Sequence, residues 1–232
     1  MIKFSKVAIA TAAALTLAAC GDDDSDTDTV TIIETPVEYE VLLKNLTNGQ
    51  PISAPLLILH DTGELFEVGE SASDALELLA ESGDASRLLD ETSFLLSSAS
   101  ADAGITYGES TTVTVRHTAQ ANYLSFASML GNSNDAFTGL NKVDLSDLAV
   151  NDTLTFNTVA YDAGTEANTE SAETVPGPAA GGEASNPIRD DIDMVTMHPG
   201  IVSADDGLTT SALTYQQKFD NPVMSVTITR IR

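Results

Sequence analysis

The chain has 232 residues, with 35 acidic against 10 basic side chains, a net charge of −25, one cysteine and no tryptophan. So acidic a chain excludes nucleic acid and anionic lipid as electrostatic partners, and it favours association with cations that relieve its self-repulsion. An acidic surface adapted to saline surroundings accounts for the total charge equally well. The lone cysteine excludes an internal disulfide, so core packing and any bound metal have to hold the fold.

In chain order, Lys3 and Lys6 precede an uncharged apolar run from Val7 to Ala19. That run is too short for a mature membrane span and reads as an export signal over residues 1–19. It ends in Leu17-Ala18-Ala19-Cys20, which resembles a bacterial lipobox. Cys20 is therefore the expected lipidation site, and acyl chains worth about 0.8 kcal/mol per buried methylene would anchor the chain to a membrane. Gly21 after the cysteine points to the outer membrane or cell surface, so the expected location is the cell envelope, outside the cytoplasm. Residues 20–35 are rich in Asp, Ser and Thr and read as a disordered tether. Residues 36–232 suit one domain.

Short β-type runs punctuate that domain: Glu38 to Leu46, Pro55 to His60, Thr111 to Thr118, Asn122 to Leu130, Thr153 to Tyr161, Ala212 to Phe219 and Val223 to Ile231. Met224, Val226 and Ile228 alternate with Ser225, Thr227 and Thr229, the period of a strand with one face on a core. Ala72, Leu76, Leu79 and Ala80 recur instead at helical spacing, behind Ser71 and Ser73 as caps and ahead of Gly83 as a stop. A second helical turn is expected from Ala85 to Asp90. The Pro- and Gly-rich stretch from Thr174 to Asn186 reads as an irregular loop. Strands dominate, so the fold class is all-β, an antiparallel β-sandwich with short helical insertions.

Two acidic loops stand out. Ser133-Asn134-Asp135-Ala136-Phe137 follows one strand, and Asp162-Ala163-Gly164-Thr165-Glu166 begins where another ends. The segment from Leu140 to Asp152 is long enough to return the chain across a sandwich, so the loops can meet at one end. Gly164 favours a turn that directs Asp162 and Glu166 inward, and with Asp135 they offer hard oxygen ligands suited to Ca2+. Magnesium demands stricter octahedral geometry, and zinc lacks a Cys or His cluster here. Acidic loops in an acidic chain are more often simply solvated.

Other landmarks accompany these loops in order: Tyr39-Glu40-Val41, Asn45-Leu46-Thr47-Asn48-Gly49-Gln50-Pro51, Leu65-Phe66-Glu67-Val68-Gly69-Glu70, Pro176-Gly177-Pro178, His198-Pro199-Gly200-Ile201 and Asn221-Pro222-Val223. Together they resemble bacterial spondin-domain proteins, whose animal relative carries a C2-like antiparallel β-sandwich with bound calcium. The resemblance implies Asp135, Asp162 and Glu166 as the ligands. This chain has Glu166 where the animal motif has Asp, and Ala136 where it has an aromatic.

The histidines His60, His117 and His198 are scattered, and His117 shares strand parity with Val113 and Val115, which favours a packed histidine. No Gly-x-Ser-x-Gly elbow and no phosphate-cradling glycine loop occurs. Paired carboxylates suit glycoside hydrolysis, but few aromatic platforms for sugar rings are present. The expectation is a non-enzymatic calcium-binding structural or adhesive module with an unidentified protein or glycan ligand. The alternatives are a calcium-dependent carbohydrate- or matrix-binding module and, less favoured, a metal-assisted hydrolase.

Overall fold

Alternating apolar residues build the first strand, β1 (Val37–Asn45), in which Val37, Tyr39, Val41 and Leu43 are buried. The computed structural model describes residues 35–232. The export signal, Cys20 and nearly all of the tether lie outside the described residues. No helix among the described residues is long and apolar enough to cross a membrane.

Nine further strands follow: β2 (Leu56–His60), β3 (Leu95–Ser100), β4 (Ser110–His117), β5 (Tyr123–Met129), β6 (Ala136–Asp144), β7 (Thr153–Thr158), β8 (Ala160–Asp162), β9 (Thr196–Met197) and β10 (Met224–Arg230). One sheet has the order β4-β1-β10-β7 and the other β3-β2-β5-β6-β8-β9, and every pairing is antiparallel. The inward rows of β1 and β10, including Met224, Val226 and Ile228, pack against Leu57, Leu59, Leu124 and Phe126 of the larger sheet. This is the all-β sandwich that the alternation predicts.

The larger sheet is covered on its outer face as well. Leu56, Ile58, Ala127 and Phe137 pack against Ala75, Leu76, Leu79 and Ala80 of helix α1 (Asp74–Ser82). Burial on both faces explains why β2 reads Leu-Leu-Ile-Leu-His without alternation. Ser73 Oγ accepts the Leu76 amide at 3.1 Å, and Gly83 closes the helix in the left-handed region with its N–H on Leu79 O at 2.8 Å. The expected second turn is helix α2 (Ser86–Glu91).

Four expectations need correction. Ala212 to Phe219 is not a strand: it contains a 3-10 turn, Tyr215–Gln217. There the Thr214 hydroxyl accepts the Gln216 amide at 3.3 Å, and Gln217 Oε1 accepts the Thr214 amide at 2.9 Å. These local bonds outcompete strand pairing. Thr153 to Tyr161 divides at Val159, where β7 leaves the smaller sheet and β8 joins the larger one. Ala136 and Phe137 belong to β6, and this strand runs on to Asp144 rather than beginning a return at Leu140. His117 is only half-buried at the end of β4.

Candidate metal centre

The two acidic loops meet through strand pairing. β6 begins beside the end of β8, with Ala136 opposite Asp162, so the residue before β6 and the residues after β8 share one pole of the larger sheet. Asp135 and Asp162 thus come together by register, and the crossing segment envisaged from sequence is not what joins them.

The first loop is held rigidly. Ser133 Oγ donates to Leu130 O at 2.6 Å and accepts the Ala136 amide at 3.1 Å. Gln50 clasps Asn132 twice, its Nε2 donating to Asn132 O and its Oε1 accepting the Asn132 amide, both at 2.9 Å. Asn45 Nδ2 in turn donates to Gln50 O at 2.7 Å. The Asn45-to-Pro51 landmark is therefore the brace of this loop. Across it, Gly177 lies so near that a Cβ would stand 2.0 Å from Gly131 O.

The second loop wraps around Asp135. Asp135 Oδ2 accepts the Thr165 amide at 2.8 Å and the Glu166 amide at 3.1 Å, and Ala163 N donates to Asp135 O at 3.2 Å. Gly164 turns the chain at φ +70°, and its N–H donates to Asp162 Oδ1 at 2.8 Å. A Cβ at Gly164 would meet Met194 O at 2.4 Å, so conformation and space both call for glycine. The Thr165 hydroxyl lies 2.8 Å from Glu81 Oε1 and 3.2 Å from Asp135 Oδ2, with one proton to give.

The acids at this pole are almost fully enclosed: Asp135 is 0 %, Asp162 3 % and Glu166 4 % exposed. Asp135 Oδ1 and Glu166 Oε1 are buried and have no hydrogen-bond partner. Burial, and then the charge of Asp162, push Asp135 up to about 7. Burial, and then the charge of Glu81, push Glu166 up to about 8. A buried, unpartnered carboxylate oxygen costs about 1–3 kcal/mol or more, so the arrangement is unfavourable unless a proton or a cation shares it. Hard anionic oxygens fit a hard cation such as calcium. Among the described residues no three His, Cys, Asp or Glu side chains stand grouped as a ready-made metal cage. Closing on a cation therefore requires the acid side chains to turn towards one another.

The structure adds residues that sequence reasoning did not assign. Glu81, at the end of α1, is 1 % exposed, and its Oε2 accepts the Asn186 amide at 2.9 Å. His198 Nε2 stands 4.0 Å from Asp162 Oδ2, and burial holds its pKa low. Asn168 Nδ2 donates to Asp162 Oδ2 at 2.7 Å, and Glu170 lies buried two residues further on. In an acidic chain nothing in spacing separates these groups from solvated ones. His60, by contrast, is a core histidine bonded to Ser125 Oγ at 2.8 Å and Thr62 O at 2.7 Å.

The Spondin_N family model matches residues 57–193, more than half of the chain and including both acidic loops. Spondin_N is a non-enzymatic domain family, and a domain of this kind suggests an extracellular interaction module. No curated protein matches the chain.

Proposed function

The chain belongs to the Spondin_N family, and from that premise we propose that it is a calcium-binding structural or adhesive module, lipid-anchored at Cys20 on the outer face of the cell envelope. One observation carries the calcium reading. Asp135 Oδ2 caps the turn between Asp162 and Glu166, while Asp135 Oδ1 and Glu166 Oε1 remain buried without a partner. Asp135, Asp162 and Glu166 would hold the ion, which when bound supplies the positive charge that lets these neighbouring acids ionise together. Near-complete burial of the three acids supports a closed structural role over direct contact with a glycan. The chain's own residues tie two loops together, and those loops present a surface at one pole of the sandwich.

Calcium titration of the chelator-treated protein tests the metal reading, with saturable uptake and a raised melting temperature expected. No uptake would refute it. For the anchor, Cys20→Ala is expected to shift the protein from the detergent phase to the aqueous phase on Triton partition. An unchanged distribution would remove the anchor.

A further inference from the structure

Glu170 is the least economical residue at this pole unless something else shares its charge. It is 1 % exposed and sits in the left-handed region at φ +55°, fixed by three bonds. Its N–H donates to Asn134 Oδ1 at 3.2 Å, its C=O accepts the Ala212 amide at 2.8 Å, and its Oε1 accepts the Val202 amide at 3.2 Å. The other oxygen, Oε2, is buried and has no partner. A packing or capping role needs only the first oxygen, and glutamine supplies that without a buried charge. A second carboxylate oxygen facing nothing costs about 1–3 kcal/mol or more.

Its surroundings show where that oxygen belongs. Asn134 adjoins Asp135, and Asn168 donates to Asp162 from two residues before Glu170. Asn168 Oδ1 is likewise buried and unpartnered. His198 accepts the Gly200 amide on Nδ1 at 2.9 Å, so its neutral ring carries the proton on Nε2, facing Asp162. Asp162 thus touches Asn168 and faces His198, lies opposite Ala136 next to Asp135 in the β6–β8 register, and its charge reaches Glu170. An amide oxygen and a further carboxylate are the ligand types a calcium shell of six to eight oxygens takes beyond three acids.

We propose that Asn168 and Glu170 belong to the same cation-binding basin as Asp135, Asp162 and Glu166, and that Glu170 transmits its occupancy to the segment from Gly200 to Leu213. This rests on the calcium reading above. The link is short, one residue and two hydrogen bonds: the carboxylate that offers Oε2 to the ion holds the Val202 amide with Oε1, and its own backbone carbonyl holds the Ala212 amide. Val202 is half exposed, so the segment reached in this way lies at the surface.

The test uses the full chain, calcium ions as the probe, isothermal titration for affinity and amide hydrogen exchange at Val202 and Ala212. In the wild type, calcium is expected to slow exchange at both amides. Glu170→Gln retains an acceptor for Val202 and is expected to bind calcium about tenfold or more weakly and to lose the calcium-dependent slowing. Asn168→Ala is expected to weaken binding about tenfold. Wild-type affinity and wild-type slowing in Glu170→Gln would overturn this inference while leaving the calcium reading intact. Absence of calcium uptake by the wild type would overturn both. Should Glu170→Gln not fold, unchanged affinity in Asn168→Ala decides against the proposal.

Discussion

Asp135 gives one oxygen to two amides and leaves the other without a partner, and the two halves of that behaviour are separable by mutation. Asp135→Ala strands the Thr165 and Glu166 N–H groups and is expected to destabilise the fold by about 1–3 kcal/mol even without calcium. Asp135→Asn keeps an acceptor, so the metal-free melting temperature is expected to hold or rise while the calcium-induced increase is lost. A calcium response retained in the asparagine variant would contradict the assignment. The raised carboxyls also fix a pH dependence. Their folded-state pKa values, about 7 for Asp135 and about 8 for Glu166, exceed the ordinary carboxylate range, so the folded state holds protons that the unfolded chain releases. That contribution is complete below about pH 4 and is lost as pH rises through about 7–8. Thermal denaturation of the metal-free protein is expected to show this loss between about pH 5 and about pH 8, and calcium is expected to stabilise more at the upper end. The pole that gathers Asp135, Asp162 and Glu166 was marked in the sequence by a glycine turn and two acidic loops, and the resemblance to spondin-domain proteins singled out these three residues. Asn168 and Glu170 were not, because what distinguishes them is an unpartnered buried oxygen, a property of three-dimensional packing alone.

At the level of elements, helix α1 does two things: it seals the outer face of the larger sheet and delivers Glu81 to the Thr165 hydroxyl. Leu79 is fully buried in that contact, and Leu79→Ala is expected to cost about 2–5 kcal/mol, measured by urea denaturation. The cap, the apolar stripe and the Gly83 stop made this helix readable, as alternation did for β1 and β10. β3 escaped because it is a sheet-edge strand of mostly small residues, Leu-Leu-Ser-Ser-Ala-Ser, with weak strand preference. β6 escaped for a different reason. Gly139 interrupts it, and Lys142 takes φ +50° at a bulge, where its amide donates to Ser125 Oγ at 2.8 Å. The sheet switch at Val159 was hidden because β7 and β8 run on in sequence, and which sheet each joins depends on partners far along the chain.

For the whole molecule, the net charge of −25 is a standing repulsion, and the acids at the β6–β8 pole bring it into the interior. An ion bound there neutralises charge where dielectric screening is weakest, which is why one site is expected to influence the stability of the entire domain. With free calcium at about a hundred times the dissociation constant, mass action gives about 2.7 kcal/mol of stabilisation. For a domain of this size that corresponds to a rise in melting temperature of roughly 5–10 °C. The most direct measurement is calorimetric titration of calcium into the chelator-stripped chain, beside Asp135→Asn under the same conditions. The account predicts saturable binding in the wild type, with proton release that diminishes as pH rises through about 7–8, and no binding in the variant. Heats of dilution alone in the wild type, or equal binding in both proteins, would contradict it.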